Sequence, residues 1–190
     1  MKTFTKALLT GLLLALPAAT PAQPWGPPDA GVFPPGSHPY GKTYSEWSAQ
    51  WWTWFMSLPV TGPIEHPGLT GPGVFDITEG QSGDVWFIGA PFGTLTRSAT
   101  IPAGKALFIG LLNAEASSLE GYGTSFNDQL AAAEAQAAAI ATVFCKIDGV
   151  AVRQLNRYEV ASPQFTFTAP TPWIFGDTGG SGTSVGYGYY

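Results

Sequence analysis

The sequence predicts a mainly β domain of sandwich or jelly-roll type, with antiparallel sheets and one or two helices packed on them. Three observations carry this expectation. Segments with a strand-like pattern outnumber helix-like ones along the 190 residues. The intervening turns are rich in glycine and proline, 24 and 17 in all, the punctuation of a β-rich chain. Charged residues make up only 11% and aromatic residues 14%, which favours a buried core and argues against a wholly disordered chain.

The first element is an address. Lys2 and Lys6 precede or flank the start of the apolar run ALLTGLLLALPA. A run of that length is a signal-peptide core and falls short of the roughly 20 residues a membrane span needs. Cleavage after Ala22 places Thr20 and Ala22 at the positions a signal peptidase reads. Residues 1–22 are therefore expected to be a signal peptide. The protein is expected in the periplasm or outside the cell. No transmembrane span is expected after cleavage, because Pro, Gly or a charge interrupts every later apolar stretch. Residues 23–41, QPWGPPDAGVFPPGSHPYG, read as a Pro/Gly-rich arm.

The β-rich domain is expected over 42–175, with helices near 43–58 and 126–141. In TYSEWSAQWWTWFMSL, Thr43 and Glu46 have the spacing of a capping box. Tyr44, Trp47, Trp51, Trp54 or Phe55, and Leu58 then recur at three and four, giving one apolar face, and Pro59 stops the helix. VWFIGA (85–90) is a short apolar strand. LTRSATI (95–101) alternates like a half-buried strand, with Arg97 the exception on its apolar face. Pro102-Ala103-Gly104-Lys105 is a turn, and ALFIGLL (106–112) reads as a strand covered on both faces. Residues 113–125 read as a polar loop. Ser125 and Asp128 then cap a second helix with the stripe Phe126, Leu130, Ala133, Ala137 and Ile140. TVFCKIDGVAVRQL (142–155) is a hairpin turning at Asp148-Gly149, and QFTFT is a further strand. From Gly176 the chain, GDTGGSGTSVGYGYY, shows no apolar periodicity and is expected to be a Gly/Tyr-rich tail over 176–190.

The segments YGKTYSEWSAQWWTWF, GQSGDVWFIGA, IPAGKALFIGLLN and IDGVAV together resemble an uncharacterised family of secreted bacterial proteins with a Trp-rich N-terminal helix. The resemblance covers most of 40–170. It implies export and a β-rich fold, and it implies no activity. Members of that family often carry further cysteines, and they continue past the Gly-Tyr segment into closing strands. This chain departs on both points. An open strand edge near the C-terminus, able to pair with another chain, is therefore expected.

Composition excludes several functions. A net charge of −5 argues against nucleic-acid binding. One cysteine excludes an intrachain disulfide framework and a multi-cysteine zinc site. His38 and His66 lack any short ligand spacing and read as loop histidines, so neither a metal site nor a cofactor is expected. Cys145 shares a strand face with Val143 and Ile147 and reads as a core residue.

Two constellations remain. Paired carboxylates could hydrolyse a glycosidic bond. Among Glu46, Glu79, Asp84, Glu115 and Glu120, the catalytic candidates are Glu115 and Asp84, because Glu46 belongs to the capping box. Asn113 and Glu115 leave the end of a strand on the same side, where a rigid frame presents a site. The second constellation is aromatic. Trp52 does not fit the apolar stripe of its helix, and a leftover tryptophan face stacks on sugars or anchors a partner. The ligand-binding candidates are Trp51, Trp52, Asn113, Glu115 and Arg97, the last as an ion-pair partner for a buried acid or a ligand carboxylate. The expected function is a secreted, non-catalytic binding or surface-associated protein that recognises glycan or an envelope protein. The competing reading is a secreted polysaccharide hydrolase or lyase.

Overall fold

The computed structural model describes residues 31–89, 93–140 and 142–190. The predicted signal peptide and the first part of the arm lie outside the described residues.

Helix α1 spans Tyr44–Ser57, and its capping box is formed. The Thr43 hydroxyl accepts from the Glu46 backbone N–H at 3.1 Å, and the Thr43 N–H donates to the Glu46 carboxylate at 2.8 Å. These bonds hold the Glu46 carboxyl below the usual carboxylate range. The burial pattern departs from a single stripe. Only Glu46, Gln50 and Ser57 are exposed along the helix, with Thr53 half-buried between them. All four tryptophans, Phe55 and Met56 are buried. A helix that is apolar nearly all round must be enclosed.

The strands explain how it is enclosed. They are β1 (Gly73–Val74), β2 (Val85–Ile88), β3 (Arg97–Ser98), β4 (Ala106–Ile109) and β5 (Leu112–Ser117). After helix α2 (Phe126–Ala137) come β6 (Lys146–Ile147), β7 (Val150–Ala151), β8 (Glu159–Ala161), β9 (Phe165–Ala169) and β10 (Gly180–Tyr189). Strand residues outnumber helical ones, as expected. The principal sheet is antiparallel, with β10 at its centre. β5 pairs along one side of β10, while β9 and β8 pair along successive parts of the other. A second ladder, β2 with β4, is parallel, as is the short β1–β3 pair. No closed barrel forms among the described residues.

α1 lies between the principal sheet and the β2–β4 ladder. Trp47 and Trp54 reach Phe87 of β2, with ring centroids 6.3 and 5.5 Å apart. Trp52 points the other way, against Gly186 of β10. α2 covers the opposite face of the principal sheet, where Gln129 donates to the Thr183 carbonyl at 2.9 Å. The order of layers is thus parallel ladder, helix, antiparallel sheet, helix.

Several expectations change here. The tail over 176–190 is instead the central strand, and Val185 and Ser184 are fully buried. Its C-terminal edge is not open, because β10 has neighbours on both sides. The physical reason is its alternation of small residues. Gly182, Ser184, Gly186 and Gly188 alternate along β10, and at Gly186 a methyl group would lie 2.3 Å from Trp52 Cδ1 of α1. Glycine there is the space into which an indole packs. The polar loop expected from 113 begins later, since β5 runs to Ser117. The strand expected over 95–101 shrinks to Arg97–Ser98, and β4 is only part-covered. The hairpin turn is as expected: Asp148 and Gly149 adopt φ of 50° and 81°, the left-handed pair a two-residue turn requires. On α2, Ser125 caps Asp128 as expected. Its buried face is led by Gln129, while Phe126 is exposed.

Candidate functional site

The structure brings four of the predicted site residues together, but inside the protein. Trp51 and Trp52 are 3% and 4% exposed, so they offer no stacking surface. Their role is packing. Trp51 stacks on Phe55 with centroids 4.9 Å apart and donates its indole N–H to the Ile88 carbonyl at 3.0 Å. Trp52 donates to the Tyr190 hydroxyl at 2.7 Å. That hydroxyl also faces Asn113 and Ser48.

Glu115 belongs to the same buried cluster. It lies on β5 opposite Gly186 and is 4% exposed. The Ser184 hydroxyl donates to its Oε2. Burial pushes its carboxyl well above the usual carboxylate range, and the nearby Glu120 carboxylate pushes the same way; the Ser184 bond opposes them. Glu120 acts on this carboxyl through a side-chain hydrogen bond as well as through its charge. Glu120 itself is exposed and accepts from the Ser117 hydroxyl at 2.6 Å. Two carboxyl groups are therefore neighbours, but one is sealed in the core in its neutral form.

The remaining candidates lie elsewhere. Asp84 is exposed and forms an ion pair with Lys105 at 3.6 Å. Among the described residues, Arg97 has no acid partner. Its guanidinium donates to the Pro67 carbonyl at 3.0 Å, to the Gly89 carbonyl at 2.6 Å and to the Thr70 hydroxyl, and it covers the Phe75 ring. Two segments, the 67–70 turn and the end of β2 at Gly89, are clamped by one fork of donors. His66, expected to be solvated, is 1% exposed. Its Nε2 lies 2.8 Å from the Phe55 carbonyl and its Nδ1 accepts from the Gly68 N–H at 3.0 Å. Burial lowers its pKa, so it stays neutral with the proton on Nε2. Among the described residues, no group of three or more His, Cys, Asp or Glu side chains is placed to hold a metal ion. No helix among them is long and apolar enough to cross a membrane.

Sequence reasoning missed a cavity of about 380 Å³ on the β2–β4 side of α1. Its wall includes Trp47 of α1, Phe108 of β4 and the ring of Tyr190. Phe108 and Tyr190 stack with centroids 5.5 Å apart. Its cover is the β6–β7 hairpin and the following segment, through Cys145, Ile147 and Val152. Cys145 is half-buried here rather than part of a closed core, and burial raises its thiol pKa. Phe144, on the opposite face of the hairpin, is 82% exposed. The segment Gly31–Phe33 closes one end. The Phe33 carbonyl accepts from the Tyr44 hydroxyl at 2.9 Å and the Tyr158 hydroxyl at 3.3 Å, so both polar tips are occupied. Pockets of about 300–1,000 Å³ with mostly apolar walls are the usual form of small-ligand sites.

The chain matches no protein-family model, no curated protein and no solved structure.

Proposed function

We propose that this chain is an exported binding protein without catalytic chemistry, whose ligand is a small apolar molecule held in the cavity between α1, β4 and the β6–β7 hairpin. The observation that carries the reading is the cavity itself: about 380 Å³, walled by aromatic and aliphatic side chains, with the Tyr44, Tyr158 and Tyr190 hydroxyls engaged elsewhere. Each methylene moved from water into such a site contributes about 0.8 kcal/mol. Recognition of glycan through exposed tryptophans loses its support, because Trp47, Trp51, Trp52 and Trp54 are all buried. The paired-carboxylate reading loses support for the same kind of reason. Glu115 is sealed beneath β10 and does not line the cavity. Export rests on the leader-like segment before residue 23.

Titration with the neutral fluorescent probe N-phenyl-1-naphthylamine tests the proposal. Saturable one-to-one binding is expected, together with its loss in Ile147→Trp, a variant that fills the cavity from the hairpin side. Circular dichroism should show that variant folded. Non-saturable binding, or equal binding by the filled variant, would overturn the reading.

A further inference from the structure

We propose that the cavity's ligand is an amphipathic monocarboxylate, with its apolar body inside and its carboxylate at the Lys105 ammonium. This inference rests on reading the cavity as a ligand site. It adds the chemical class of the ligand.

Among the described residues that line the cavity, Lys105 is the charged one. Its side chain is 25% exposed, which places the ammonium at the rim between the apolar interior and solvent. The Pro102–Lys105 turn and β4 fix its position, since the Ala106 N–H donates to the Asp84 carbonyl at 2.9 Å and starts the parallel ladder. The Lys105 ammonium donates to the Gly83 carbonyl at 2.7 Å. Its other contact is the Asp84 carboxylate at 3.6 Å, whose side chain is 76% exposed. An ammonium has three donors, and a long ion pair to an exposed partner is weak. The ammonium therefore has capacity for a second carboxylate arriving at the rim.

The interior selects for an apolar body. The Tyr44 and Tyr158 hydroxyls are turned to the Phe33 carbonyl, and the Tyr190 hydroxyl is turned away from the cavity to Trp52. A polar group on the inner part of the ligand would find no ready partner among these and would lose its hydration. At about 30 Å³ per water-sized group, the volume holds about a dozen non-hydrogen atoms. That is the size of a ten-carbon chain with its headgroup. Charge complementarity at one end and apolar walls elsewhere together define the class.

Isothermal titration of the full chain at low salt with decanoate, decanol and decyltrimethylammonium tests this. Decanoate should bind about tenfold more tightly than decanol, a difference of about 1.4 kcal/mol, and the cation should bind least. Lys105→Gln should erase the preference, so that decanoate binds no more tightly than decanol. Asp84→Asn removes the competing carboxylate and should tighten decanoate binding by a few-fold. Equal affinity for decanoate and decanol in the native chain, or a preference that survives Lys105→Gln, would overturn the inference while leaving the cavity reading intact. Failure of all three probes to bind would overturn both.

Discussion

Gly186→Ala probes the packing of α1 on β10 most sharply. A methyl group at 186 would lie 2.3 Å from Trp52 Cδ1 and 2.4 Å from Nε1, where carbon contacts are ordinarily about 3.5–4.0 Å. The indole must retreat by about 1 Å. It is 4% exposed and held by Phe55 and Phe175 at centroid distances of 5.7 and 6.4 Å. Forcing a well-packed core costs about 1–3 kcal/mol. Displacing the indole also strains its 2.7 Å bond to Tyr190, and a buried donor left without a partner adds about 1–3 kcal/mol. Reduced freedom of the unfolded chain returns about 0.4–1 kcal/mol. The expected net loss is about 3 kcal/mol, which moves a urea midpoint down by about 1–3 M at ordinary m-values. Gly62→Ala is the control, since a methyl group there meets nothing within 4 Å. Its midpoint should move by less than about 0.5 kcal/mol equivalent. An unchanged or raised midpoint for Gly186→Ala would refute the placement of 180–189 as the strand that carries α1.

Two further predictions concern the polar groups. The raised pKa of Glu115 means that the folded state holds a proton the unfolded chain releases near pH 4.3. Its contribution is fully present below that pH and is lost as pH rises through the folded value. Stability should therefore fall as pH is raised from the acid side, and Glu115→Gln should flatten that fall in urea titrations across pH 4–9. An identical slope in the variant would contradict the assignment. Arg97→Lys keeps the charge but loses the fork that joins the Pro67 and Gly89 carbonyls, and it should cost about 2 kcal/mol, the worth of one charge-assisted bond; a thermal midpoint unchanged from the native chain would show that the clamp contributes nothing.

The two helices and the Asp148-Gly149 turn were legible because each depends on local chemistry. A capping box, a Ser–Asp cap and a left-handed turn are set within four residues. The principal sheet was not legible, because its central strand carries glycine where apolar residues would normally mark a core face. Glycine at every second position from 180 to 188, with Ser184 as the one interruption, was the available signal. It reads as a strand only once a tryptophan is known to lie against it. The same blind spot misplaced the candidate site. Trp52 falls off the first apolar stripe of α1, which suggests exposure on a helix with one buried face. α1 has two, and the second belongs to β10. Asn113 and Glu115 are expected to leave the end of a strand over 106–112, whereas both lie within β5, and the burial of their side depends on β10. Arg97 reads as half of an ion pair, whereas the Pro67 and Gly89 carbonyls and the Thr70 hydroxyl satisfy it. Nothing local marks the cavity, whose walls come from the segments 31–33, 39–47, 105–111 and 145–158 and from residues 85 and 190.

A crystal structure of the decanol-soaked protein tests the central claim most directly. The account predicts continuous alkyl density beside Phe108 and the Tyr190 ring, beneath Ile147 and Val152 of the hairpin segment. An empty cavity in crystals that take up decanol at another place would contradict it.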